Sequence, residues 1–130
     1  SMCFRGIDGP EHMNAVCGYF EDHPRQQGMI SLIDMAIGAG EKLKLDPQTY
    51  VGVEVFGNVE IADGGEMELG LYTTLSVGNN STLTVKKGAR LAVNNMGLYS
   101  QDGSSIIVEN GADFEMNNNY QNSPANIIYK

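Results

Sequence analysis

The stretch STLTVKKGARLAVNN, Ser81 to Asn95, states one short pattern twice. Leu83-Thr84-Val85 is followed by a basic turn containing Gly88, and Leu91-Ala92-Val93 begins eight residues after Leu83. Two apolar residues separated by one other residue give the period of a strand, whose side chains alternate between faces. The Lys-Lys-Gly between the triplets reads as a corner, because Gly enters the left-handed backbone region without steric cost. Each unit is therefore a very short strand followed by a sharp bend.

The rhythm extends in both directions. Apolar pairs fall at Leu43/Leu45, Val51/Val53, Val59/Ile61, Met67/Leu69, Leu75/Val77, Leu83/Val85 and Leu91/Val93, each eight residues after the last. The next unit starts one residue early, at Leu98 with Ser100 in second place, and the step of eight resumes at Ile106/Val108 and Phe114/Met116. The bends carry Gly, Asn, Asp and Lys. Self-similarity at a fixed interval marks a repeat architecture. The expected fold is mainly β, a small parallel β-solenoid built from these octads, because stacking forces every unit to one length. The alternative is an antiparallel meander or barrel, with hairpin turns at Asp102-Gly103 and Asn110-Gly111. The Asn runs Asn79-Asn80, Asn94-Asn95 and Asn110 recur after about fifteen or sixteen residues. That spacing points to two units per turn with Asn stacked at one bend; three units would make a triangular prism.

Residues 1–40 lack the octad. Pro10 suits the first turn of a helix over the following EHMNAVCGYFED. MISLIDMAIGAG, Met29 to Gly40, places apolar residues at near-helical spacing with a glycine stop, so a second short helix is expected. The chain thus divides into an N-terminal helical cap, 1–40, and solenoid repeats, 41–130. Beyond Met116 the sequence NNNYQNSPAN reads as loop, and IIYK as a last strand or the point where a longer chain was cut.

With 130 residues the chain has room for one modest core. Only 18% of residues are charged and 16 are glycine, so many positions serve turns. A net charge of −8 with no basic cluster argues against nucleic acid as a partner. No apolar run is long enough for membrane insertion, and no signal-peptide pattern is present.

Candidate functional residues are few. His12 and His23 lack partners at a recognisable spacing and read as surface histidines. Cys3 and Cys17 are a candidate disulfide in an exported protein, or free thiols in a reducing compartment. Glu54, Glu60, Asp63, Glu66 and Glu68 form one acidic group, and Asp102, Glu109, Asp113 and Glu115 a second. Of these, Glu60, Asp63, Glu66 and Glu68 are weak metal candidates, with calcium the ion that carboxylates and turn carbonyls could hold. Paired carboxylates could also cleave glycosidic bonds. Both possibilities stand against a simpler reading, in which these acids occupy outward positions that solubilise the molecule. Tyr72, Tyr99 and Tyr120 are the ligand-contact candidates, since an exposed ring on a polar strand can stack on a sugar. No catalytic residue and no required cofactor can be assigned.

The segments LSVGNNSTLTVKKGARLAV and GSSIIVENGADFEM resemble the short G-x-x-φ-x-φ repeats, φ being apolar, of parallel β-solenoid modules in bacterial surface adhesins, autotransporter passengers and phage tail proteins. That resemblance implies an extracellular or cell-surface location and a non-catalytic structural or adhesive role. Such a module would bind a glycan or protein surface ligand, or self-associate as a homo-oligomer. The alternatives are a fragment of a carbohydrate-active β-helix enzyme and an oligomeric scaffold without a ligand.

Overall fold

The computed structural model describes residues 1–94, 96–117 and 125–130. Strand β1 (Met2–Arg5) is followed by the helix α1 (Pro10–Asp22). Then come β2 (Gly28–Ile33), β3 (Ala36–Ile37), β4 (Lys42–Leu45), β5 (Val51–Phe56), β6 (Asn58–Ile61), β7 (Glu66–Leu69) and β8 (Thr73–Val77). The last six are β9 (Thr82–Val85), β10 (Arg90–Val93), β11 (Gly97–Ser100), β12 (Ser105–Val108), β13 (Asp113–Met116) and β14 (Ile127–Tyr129).

These strands form three parallel sheets. Sheet 1 has the order β1-β2-β5-β8-β11, sheet 2 the order β3-β6-β9-β12-β14, and sheet 3 the order β4-β7-β10-β13. From β2 to β13 the chain visits the sheets in rotation, and each strand pairs with the one three further along. The period follows from the registers: Leu43 stands beside Met67, Met67 beside Leu91, and Leu91 beside Phe114. The structure rules out the alternative, an antiparallel meander or barrel, because among the described residues every pairing is parallel and no barrel closes. The short strands connect through corners rather than hairpins, so neighbours in sequence lie in different sheets.

The apolar pairs face one shared core, in which residues from Ile30 to Val108 on all three sheets are buried together with Met13, Val16 and Phe20 of α1. Each such aliphatic side chain contributes about 1.5–3 kcal/mol by leaving water. Two details differ from the octad reading. Val53 and Val55, not Val51 and Val53, register with Leu75 and Val77, and Val51 is buried beside Thr73. The final pair loses its cover: Phe114 is half-buried and Met116 is 50% exposed.

Three corners per round also correct the expected Asn ladder. Asn79-Asn80 lies between β8 and β9, Asn94 between β10 and β11, and Asn110 between β12 and β13. Two octads are two-thirds of a round, so the runs occupy three different corners; Asn95 lies outside the described residues. The corners are built instead on left-handed residues that stack. Between sheets 1 and 2 these are Asp34 (φ 44°), Gly57 (φ 72°), Asn80 (φ 55°) and Gly103 (φ 71°). Between sheets 2 and 3 they are Gly40, Gly64, Gly88 and Gly111, at φ 78° to 90°. The N–H of Gly40 donates to Gly64, Gly64 to Gly88 and Gly88 to Gly111, each at 3.0–3.1 Å. Each of these four glycines occupies the third place of a hydrogen-bonded turn such as Lys86–Ala89, where the positive φ of a type II turn is required.

The second expected helix is corrected as well. Met29 to Gly40 holds β2 and β3, with Ile30, Leu32 and Ile37 buried and Ile33 37% exposed. The side chains alternate, and the pairing of β2 with β5 decides between two periods that a short apolar run cannot separate. Within residues 1–40 the helical part is α1 alone, and β1, β2 and β3 belong to the same sheets as the repeats. The helix lies over β4, the edge strand of sheet 3: the Lys44 backbone N–H reaches the Cys17 sulfur. Covering an edge in this way blocks further strand pairing there. Among the described residues no helix is long and apolar enough to cross a membrane.

Candidate functional site

The outward side chains of sheet 3 alternate in sign from strand to strand. Lys42, Glu66, Arg90 and Asp113 share one register row, and Lys44, Glu68, Ala92 and Glu115 share the next. Arg90 is the hub. Its Nη1 donates to Glu68 Oε1 at 3.1 Å, and its Nη2 and Nε donate to Glu115 Oε2 at 2.8 and 3.1 Å. Glu66 and Asp113 lie 3.7 and 3.5 Å from the same guanidinium. These bonds run diagonally between rows because Ala92, the residue between Glu68 and Glu115, leaves the space open. On the other flank Lys42 Nζ is 3.5 Å from Glu66 and Lys44 Nζ is 3.7 Å from Glu68.

This pairing sets the protonation of the surface. The hydrogen bond from Arg90 holds the Glu68 carboxyl below the usual carboxylate range, with Lys42 and Lys44 adding to the effect and burial opposing it. Around the corner, the Lys87 backbone N–H and the Lys86 ammonium, 3.1 Å away, hold Glu109 below its ordinary value. All these groups are solvated and screened, so the pairs add little to stability. Their effect is to fix side chains in place.

Beside this network runs a groove of about 740 Å³ that crosses all four strands of sheet 3. Lys44, Glu68, Arg90, Ala92 and Glu115 line its floor, and the corner residues Asp46, Leu71 and Asn94 line its side. Four strands span roughly 14 Å, three spacings of about 4.8 Å. The two cations and three carboxylates in this lining nearly balance.

The residues singled out from sequence are only partly brought together. Glu66 and Glu68 meet at Arg90, joined by Asp113 and Glu115 of the second acidic group. Glu60 stands on sheet 2 and Asp63 at the following corner, where its carboxylate lies over Gly88. Among the described residues no three His, Cys, Asp or Glu side chains form a metal-holding group. Tyr72 is 45% exposed at the corner between sheets 3 and 1, at the position equivalent to Tyr50, which is 39% exposed. Tyr99 is half-buried on the outer face of sheet 1, with its ring over Gly97, and Tyr120 lies outside the described residues. Cys3 and Cys17 are free thiols. Phe4 is the β1 residue that meets α1, through Tyr19 and Phe20 at 5.6 and 5.7 Å, so the adjacent Cys3 points to the other side. His12 pairs with Asp8 at 3.2 Å, and His23 stacks on Tyr19 at 4.3 Å.

Sequence reasoning missed Arg90, Lys42, Lys44 and Tyr50. The available signal was recurrence at 24 residues, the spacing that separates Lys42, Glu66 and Arg90. No family model matches the chain, and no curated protein and no solved structure is significantly similar to it.

Proposed function

We propose that the three sheets are the faces of a parallel β-solenoid with three strands per turn, and that the protein is a non-catalytic binding module. Its groove on sheet 3 takes an extended, uncharged, hydroxyl-rich ligand such as a neutral glycan. A surface or secreted setting, as in the adhesin-like modules its repeats resemble, suits that role.

The observation that carries this reading is the pairing of Glu68, at the centre of the groove, with Arg90 at 3.1 Å. Glycosidic cleavage needs one carboxyl held protonated near neutral pH. Glu68 is held the other way, by Arg90 and two lysines. What remains is a rigid row of hydrogen-bonding groups, nearly balanced in charge, beside the exposed Leu71. Such a surface selects by shape and hydroxyl contacts rather than by net charge.

The test combines a glycan array with an assay for reducing-end release. Binding of neutral glycans without turnover is expected, lost when Ala92→Trp fills the groove and retained in Glu60→Gln on the neighbouring sheet. Reducing-end release that disappears in Glu68→Gln would establish an enzyme instead. Absence of binding to any glycan would remove the ligand class.

A further inference from the structure

The two ends of sheet 3 are finished differently. At one end β4 is covered by α1. At the other, β13 pairs only with β10, and among the described residues nothing pairs with its outer edge. The amides of Asp113 and Asn117 donate to Ala89 and Val93 of the β10 segment. By the alternation of a strand, those of Phe114 and Met116 face away from it. Phe114 and Met116 lack the apolar cover that every earlier pair in the sheet receives from the next strand.

Charge distinguishes this edge from a generic one. Strand β7 reads Glu-Met-Glu-Leu and β13 reads Asp-Phe-Glu-Met, both acid-apolar-acid-apolar. The β7 acids take cations from both flanks: Arg90 on one side, Lys42 and Lys44 on the other. Among the described residues the β13 acids take Arg90 alone. Accordingly Glu66 and Glu68 are 39% and 31% exposed, whereas Asp113 and Glu115 are 57% and 59% exposed. The strand that completes β7 is β4, Lys-Leu-Lys-Leu.

We propose that the outer edge of β13 is a strand-addition site for an extended segment of another protein carrying Lys or Arg at alternate positions with aliphatic residues between. The segment runs parallel to β13. Its basic residues meet Asp113 and Glu115, its aliphatic residues cover Phe114 and Met116, and its backbone bonds the outward amides, the peptide-recognition mode in which main-chain bonds give affinity and alternate side chains give specificity. An intact second copy cannot supply such a strand from β4, which lies under α1. The site adjoins the groove and shares Glu115 and Met116 with it, but it is read by peptide binding and edge-amide protection rather than by glycan binding, so either reading can fail alone.

The probe is a fluorescein-labelled peptide of residues 39–48, AGEKLKLDPQ, added to the full chain. The expected result is saturable binding, about tenfold or more over a peptide with both lysines replaced by Glu, as two cross-strand pairs change from attraction to repulsion. Asp113→Lys/Glu115→Lys is expected to invert that preference. Hydrogen exchange on the unaltered protein should slow at Phe114 and Met116 while β7 is unchanged. The proposal is overturned by absence of saturable binding at about 1 mM peptide, by equal binding of both peptides, or by protection at β7, which would mean strand exchange at β4. Self-association of the chain that the peptide fails to displace would also overturn it, by making a second copy the occupant.

Discussion

Replacing Gly88 with Ala probes the stacked corners at one atom. Gly88 has φ +83°, and an L-residue held there costs roughly 1–2 kcal/mol. Alanine also narrows the unfolded ensemble, which offsets about 0.4–1 kcal/mol. The new methyl falls where the Asp63 carboxylate lies, but Asp63 is exposed and can rotate away, so the steric contribution is small. The net expectation is a loss of about 1 kcal/mol. Gly18, inside α1, has ordinary φ and nothing within 4 Å of an added Cβ, so Gly18→Ala is expected to gain about 0.5–1 kcal/mol. Gly88→Asn should fall between Gly and Ala, because Asn tolerates the left-handed region and Asn80 already holds such a corner. Urea unfolding reads these changes as shifts in midpoint at constant slope. If Gly88→Ala matched or exceeded the parent in stability while Gly18→Ala behaved as expected, the corner geometry would be wrong.

Three further outcomes follow from burial and charge. Leu91→Ala, at a fully buried position between Met67 and Phe114, should cost about 2–5 kcal/mol, whereas Met116→Ala, half-exposed, should cost well under that in the same urea titration. Because Glu68 and Glu109 are held below their ordinary values when folded, their stabilisation is present above the unfolded carboxyl pKa of about 4.3 and is lost as pH falls through the folded values. Arg90→Gln should therefore flatten the acid limb of stability against pH; an unchanged limb would detach Glu68 from Arg90. Burial raises the Cys17 thiol, so maleimide at pH 7–8 should label exposed Cys3 well before Cys17, and mapping by mass spectrometry checks the order.

The octad was legible because eight of its ten units bury both their side chains, and Leu83/Val85 or Ile106/Val108 read the same in any stack of short strands. The number of strands per round was harder to see, because no single unit carries it. It is carried by the corners: Asp34, Gly57, Asn80 and Gly103 recur at 23 residues, while the more conspicuous Asn runs recur at two-thirds of a round and misdirect. Met29–Gly40 misled for a different reason. Ile30, Leu32 and Ile37 face the core but Met29 and Ile33 do not, and only the pairing of β2 with β5 separates the two sets. The Arg90 network was invisible to octad reasoning because its partners sit 22 to 25 residues apart. In the linear sequence Arg90 belongs to a basic turn; in the folded chain it sits among four carboxylates.

The central claim is the third-neighbour parallel stack, and backbone NOEs from Leu83 test it most directly. The account predicts contacts from Leu83 to Val59 and to Ile106, its register partners on either side. Contacts from Leu83 to Val77 or Val93 instead, the neighbours that an antiparallel meander would supply, would contradict it.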